Sequence, residues 1–219
     1  MQSKGGEIME KIEKRFLKEI LGEIVNVLNE EKDYLTQLDA AMGDGDLGIT
    51  MTNGFQAIYN ELDKIEAEDM GKIFMKLGMK MNSTVPSTMG TLMSICLTKS
   101  SMAVKGINEI RLKDAVNMGR AAVKGVIERG KTKVGNKTML DALHPAVEAL
   151  ANSLDEDKTL SEAFEKAYEA AQNGVENTKN LKPVHGRAAY YQEKSLGTPD
   201  PGAVAMMFIF KGIKQSFKL

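Results

Sequence analysis

Ile8, Ile12, Phe16, Ile20, Ile24 and Leu28 stand four residues apart, a spacing that gathers them on one side of an α-helix running from about Glu7 to Glu30. Helical stripes of this kind recur along the chain. Met51, Phe55, Ile58 and Leu62 predict a second helix over about Ile49 to Ile65; Ile73, Leu77 and Met81 predict a third, opened by the acidic Glu66 to Asp69 and ended by Asn82 to Pro86. The most apolar stretch, NSTVPSTMGTLMSICLTKSSMAV, predicts a buried fourth helix from about Thr88, entered through a Ser/Thr turn. A fifth spans about Leu112 to Gly130 with Ala115, Met118, Ala122 and Val126 inward. Thr138 and Asp141 form a capping pair for a sixth, in which Pro145 marks a kink or a first turn. Ala163, Ala167 and Ala171 line a seventh, about Leu160 to Glu176. Asp200 as N-cap and Pro201 at the first helical position open the last, Ala203 to Phe217. No alternating β-branched run lies between turn signals. The expected fold is all-α: eight antiparallel helices in an up-and-down closed bundle or barrel, a single domain over residues 1–219.

The joints between these helices carry the chemistry. LDAAMGDGDLGITMTNGF places Asp39, Asp44 and Asp46 within eight residues, in a run too rich in glycine (Gly43, Gly45, Gly48) to stay helical. Loop carboxylates that converge suit a hard, oxygen-seeking cation such as Mg2+, whose other positions are taken by water or phosphate. By spacing alone, a solvated acidic turn has equal standing. A calcium EF-hand does not fit: twelve positions from Asp39 end on Thr50, and from Asp44 on Phe55, so the closing Glu is missing. The helix starts after Gly48 and after Asp200 would offer free N–H groups to an anion. Segments rich in Gly, Thr or acid recur at 43–50, 83–90, 130–138 and 198–202. In an up-and-down arrangement the loops before the second, fourth, sixth and eighth helices share one end, which points to a composite nucleotide or phosphate site. The polar, irregular segment from Asn177 to Gly202 is long for a compact domain, and such loops are often functional. His144 and Cys96 read as a satisfied histidine and a small buried side chain.

Lys and Arg number 29 against 30 Asp and Glu, a formal charge of −1, which argues against general nucleic-acid or anionic-membrane binding. One cysteine excludes an internal disulfide. No apolar run approaches the roughly 18 residues of a membrane span, and the N-terminus lacks the apolar core of a signal peptide. A cytoplasmic protein is the expectation; the oligomeric state, a homodimer included, is open.

LDAAMGDGDLGITMTNGF, GKTKVGNKTMLDALHPAVEAL and GRAAYYQEKSLGTPDPGAV, in this order and spacing, resemble the nucleotide-binding L subunit of the dihydroxyacetone kinases. The similarity covers nearly the whole chain. It implies a barrel of eight helices holding ADP or ATP with Mg2+ at one end. By that resemblance Asp39, Asp44 and Asp46 would hold the metal and so carry catalysis. Leu47, Gly48 and Thr50 would stand at the phosphates, with Ser87, Thr88, Met89 and Gly90 as the phosphate turn. Gly130 and Met139 would lie near adenine or ribose and Arg187 near the nucleotide, with Asp200, Pro201 and Gly202 completing the rim. The implied partners are a sugar-binding kinase subunit and, in one branch, a phosphocarrier protein of the phosphotransferase system that recharges bound ADP. Two departures stand out. Leu47, Gly48 and Thr50 replace the family's usual His, Gly and Asn, and Pro86-Ser87-Thr88-Met89-Gly90 replaces a glycine-rich turn. They leave room for a kinase subunit for another triose or tetrose, or for a nucleotide-sensing module without turnover. The nucleotide domain of a fatty-acid kinase is a further related arrangement.

Overall fold

A computed structural model describes residues 10–218, so Glu7 and Ile8 at the start of the first predicted helix lie outside the described residues. Within them run nine α-helices: α1 Lys14–Glu30, α2 Lys32–Ala40, α3 Leu47–Leu62, α4 Met70–Thr84, α5 Thr88–Ala103, α6 Leu112–Gly130, α7 Leu140–Asp155, α8 Leu160–Thr178 and α9 Pro201–Ser216. Two 3-10 turns, Arg187–Tyr190 and Gln192–Ser195, lie in the segment predicted to be irregular. Among the described residues the only β feature is an isolated antiparallel bridge between Ile12 and Ile110. It draws Ile12 out of the predicted first helix, which opens at Lys14 after an extended Glu13.

Eight of these helices close a ring. α1 packs on α3, each helix from α3 to α8 packs on the next, and α9 packs back on α1. The predicted stripes face inward: Phe16, Ile20, Ile24, Leu28, Met51, Phe55, Ile58, Leu62, Ile73, Leu77 and Met81 are all buried. The additional helix, α2, rests on α3 and α9. It escapes sequence reading because it buries only Leu35 and Leu38 and starts inside the polar run Glu30-Glu31-Lys32-Asp33, where no stripe can be seen.

α5 departs from expectation in a second way, because its buried residues are the small ones, Gly90, Ser94, Ser100 and Ser101, together with Met93. Each side of this helix meets a neighbour through a hydroxyl. Ser94 donates to the Gly78 carbonyl of α4 at 2.8 Å, and Ser100 to the Met118 carbonyl of α6 at 3.0 Å. Met93, Cys96 and Leu97 of this helix line an apolar cavity of about 210 Å3 inside the ring. Burial pushes the Cys96 thiol up to about 12, so it stays a neutral side chain at physiological pH.

The seam between α9 and α1 is the tightest test of ring closure. A Cβ on Gly212 would stand 2.6 Å from Ile24 Cα and 2.8 Å from its N, against backbone that cannot yield. Gly212→Ala should therefore lower unfolding stability by about 1–3 kcal/mol. Gly22→Ala, whose Cβ meets only Tyr59 Cε2 at 3.5 Å, should gain up to about 1 kcal/mol from helix propensity. Urea unfolding of the two variants against the parent checks both signs.

Candidate functional site

The acidic segment starts one turn earlier than its glycines suggest. Asp39 lies in the last turn of α2, a correction to its predicted place on the loop, and its carbonyl accepts from Met42 N at 3.1 Å and Gly43 N at 2.6 Å. Its carboxylate Oδ2 then accepts from Asp46 N at 3.1 Å and Leu47 N at 3.3 Å. One side chain thus ties the end of α2 to the start of α3. A Cβ on Gly43 would collide with Asp39 Oδ1, and Gly45 turns the chain at a φ of 72°; only glycine takes both positions without strain.

The result is that Asp39, Asp44 and Asp46 each present an oxygen within 4.8 Å of the others. Partial burial, then the charges of Asp44 and Asp39, push the Asp46 carboxyl above its ordinary range, while Arg187 pulls the other way. Arg187 Nη2 lies 3.2 Å from Asp44 Oδ2. Three hard oxygen donors this close, facing an open cavity, fit a divalent cation such as Mg2+, which would relieve their mutual repulsion.

Beside the carboxylates lies a cavity of about 1030 Å3. The segments leading into α3, α5, α7 and α9 all contribute to its wall. Of the residues predicted for the site, Asp39, Asp44, Asp46, Leu47, Ser87, Thr88, Met89, Gly130, Met139, Arg187, Asp200, Pro201 and Gly202 line it. Gly48, Thr50 and Gly90 do not. Gly48 is pressed against the Lys32 carbonyl and Thr36 Oγ1 of α2, Thr50 is buried, and Gly90 is packed on Val85. Asn82, Thr91, Arg129, Thr132, Lys137 and His185 also line the wall and escaped prediction. Thr132 and Lys137 fall inside the stretch GKTKVGNKTMLDALHPAVEAL and Arg129 directly precedes it, but spacing alone does not single out these side chains.

The helix starts at this end are less open than expected. Asp39 occupies two amides before and at the start of α3; Ser87 Oγ accepts from Gly90 N at 3.0 Å; Asp200 Oδ2 accepts from Ala203 N at 2.7 Å. Asp200 is itself held by its own N–H, which donates to Thr178 Oγ1 at 2.9 Å. Burial pushes the Asp200 carboxyl up to about 7; Asp141 adds to this, and the Ala203 amide and Lys137 oppose it. Lys137, 3% exposed, donates from Nζ to the carbonyls of Ser195 at 2.7 Å and Thr198 at 2.8 Å. Its own value is lowered, by burial first, with Asp200 opposing. The predicted capping pair is made: the Asp141 carboxylate accepts from Thr138 N at 2.7 Å and Thr138 Oγ1 accepts from Leu140 N at 3.2 Å, while Asp141 also accepts from Gly135 N at 2.5 Å and so shapes the loop ahead of α7.

Residues 41–215 match the family model described as the DAK2 domain. The chain is 33% identical over 186 residues to the PEP-dependent dihydroxyacetone kinase, ADP-binding subunit DhaL, of Escherichia coli (strain K12), covering 85% of this chain and 89% of that protein. It is 34% identical to the ADP-binding subunit DhaL of PEP-dependent dihydroxyacetone kinase 1 of Listeria innocua, covering 86% and 89%. Among solved structures, the dihydroxyacetone kinase of C. freundii in complex with AMP-PNP and Mg2+ superimposes with a TM-score of 0.70 at 25% identity. That match covers 99% of this chain and 36% of the kinase, so the chain spans about a third of it.

Asp200 gives this site a measurable pH signature. A carboxyl raised from its ordinary 3.8 to about 7 favours the folded state below pH 4, and that contribution is lost as pH rises to 7. Asp200→Asn keeps an acceptor for the α9 cap but cannot ionise. Its stability relative to the parent should grow steadily between pH 4 and 7, by no more than about 4 kcal/mol, and level off above. Thermal unfolding of both proteins across this range checks the slope; a constant difference would show that Asp200 titrates normally.

Proposed function

The chain belongs to the DAK2-domain family, and from that premise we propose that it is the nucleotide-binding subunit of a dihydroxyacetone-type kinase. In this reading it holds ADP or ATP with Mg2+ in the 1030 Å3 cavity and delivers a phosphoryl group to a hydroxyl of a keto-sugar carried by a separate sugar-binding subunit. The single observation that carries the reading is the convergence of three carboxylates and Arg187 at one wall of a cavity built from four helix-entry segments. The two relatives named ADP-binding subunits of PEP-dependent kinases support ADP as the bound nucleotide, and in this reading a phosphocarrier protein recharges it.

Asp39, Asp44 and Asp46 would hold the metal, which when bound supplies positive charge for the phosphate oxygens. The remaining work falls to the chain. Arg187, whose guanidinium lies 3.2 Å from Asp44, would offer a phosphate held beside these carboxylates a planar fork that matches two of its oxygens at once. Thr88 and Thr91 add hydroxyls from α5, while Leu92, Val126 and Met139 provide an apolar wall for a base. Phosphoryl transfer depends mainly on positioning and charge neutralisation, so this subunit needs no general base of its own. The base that accepts the substrate proton is assigned to the sugar-binding partner.

Calorimetric titration of ADP and of ATP into nucleotide-stripped protein, with and without Mg2+, tests the reading. Binding should require Mg2+ and should weaken by about 100-fold or more in Asp44→Asn, in line with the loss of one charged ligand, while the helical circular-dichroism signal stays intact. Mg2+-independent binding, or an unchanged affinity in Asp44→Asn, removes the carboxylates from the site.

A further inference from the structure

Between Gly186 and Pro199 the chain runs as a strap made of the two 3-10 turns, and its leading residues Gly186, Arg187 and Ala188 line the cavity. Both flanking glycines, Gly186 at a φ of 68° and Gly197 at 83°, are in the left-handed region. Ser195 is the one residue of this strap that is fully buried, so hydrophobic packing contributes little to holding it down, and a segment with so few buried contacts opens easily unless hydrogen bonds retain it. Arg187, at its leading end, is the strap's reach toward the carboxylates, through an exposed ion pair with Asp44. Exposed pairs of this kind are weak anchors.

At the other end Gly197 N donates to the Lys179 carbonyl at 2.8 Å and Lys182 pairs with the exposed Glu193, but the buried, charged anchor is Lys137, 58 and 61 residues away in sequence. Lys137 Nζ donates to two strap carbonyls, Ser195 O and Thr198 O, at 2.7 and 2.8 Å. Charge-assisted bonds inside a protein are stronger than neutral ones. The lysine is almost wholly buried and its backbone sits at a φ of 57°, a strained conformation for a side chain of this size and one that persists only where the surroundings enforce it. Two of its three N–H donors are spent on the strap, which makes it a poor candidate for gripping phosphate directly.

We propose that Lys137 is a positioning residue: its ammonium clamps the 186–199 strap so that Arg187 is held at the carboxylate loop, and through Arg187 it sets how slowly a bound nucleotide leaves. The clamp stands on geometry alone. The effect on release rests on the nucleotide reading given above.

Two measurements separate these parts. In the first, nucleotide-free protein is treated briefly with trypsin under native conditions and the fragments are weighed. Lys137→Met should be cut at Arg187 and Lys194 about tenfold faster or more, as expected when charged hydrogen bonds are lost. Lys137→Arg, which keeps the charge and its donors, should remain near the parent. Unchanged cutting of the strap overturns the clamp. Cutting accelerated equally at Arg120 and Lys166, on the helices, means general loosening and overturns it too. Should Lys137→Met not fold, Lys137→Gln, too short and uncharged to hold both carbonyls, carries the same comparison.

In the second, the release rate of a fluorescent ADP analogue is followed with Mg2+ after addition of unlabelled ADP. Lys137→Met and Arg187→Ala should each speed release about tenfold, and the double variant should be no faster than the faster single one, because both changes remove one interaction. A multiplicative effect of about a hundredfold, or no effect of Lys137→Met, overturns the link through Arg187. Failure of the parent protein to bind the analogue would count against the nucleotide reading, while the trypsin comparison still decides the clamp.

Discussion

Backbone meets backbone at a few glycines, and the closed ring depends on those approaches. Gly212 of α9 lies on Ile24 of α1, Gly78 of α4 faces Ser94 and Thr98 of α5, and Gly174 of α8 lies on the Asp141 carbonyl of α7. The last contact has a local cause. Pro145 has no N–H to offer the carbonyl four residues before it, so the Asp141 oxygen is left facing α8, and a neighbour without a side chain can close on it. A ring of eight helices joined in succession must alternate direction to close with short connections. The segments entering α3, α5, α7 and α9 therefore meet at one end, and a composite cavity follows from the closure itself.

Charge at that end is distributed differently from the simple picture of helix N-termini around an anion. Asp39, Ser87 and Asp200 each satisfy amides at the start of a helix, which removes those donors from any ligand. The same three side chains fix the entry angles of α3, α5 and α9, so they trade anion affinity for rigid placement. Negative charge at Asp39, Asp44 and Asp46 then dominates the wall. An anionic ligand can approach such a wall only with a cation between, or with Arg187 and the basic segment around Arg129 and Lys137 opposite. In the proposed reading, this wall would take a cation first and a phosphate second.

How much of this could be read from the residues alone varies with the physical signal. Helices with long apolar stripes were legible, because burial of one face repeats every three to four residues. α2 was hidden, since two inward leucines in nine residues make no pattern. The four entry segments were legible by counting alternating helices, and the cavity they share follows that count. Residues recruited by backbone contact were not: Gly48 and Gly90 read as ligand-facing glycines but serve helix packing on Lys32, Thr36 and Val85. Lys137 was invisible for the opposite reason. A lysine in a basic loop reads as solvated, and nothing local reveals that its partners lie 58 and 61 residues downstream.

Leu47 shows what the departures from the family pattern do to the site. It lines the cavity at 6% exposure immediately after Asp46, in the place where the resemblance leads one to expect an imidazole. A leucine there cannot donate to a phosphate or titrate. Partial burial is the first cause of the raised Asp46 carboxyl, and the charges of Asp44 and Asp39 add to it. In the proposed nucleotide reading, an apolar neighbour in place of a hydrogen-bonding one would leave more of the recognition to a cation held by the carboxylates. The second departure acts in the same sense. At Pro86 to Gly90 the chain spends Ser87 on capping α5 and keeps Gly90 packed on Val85, so fewer donors reach the cavity from this turn as well.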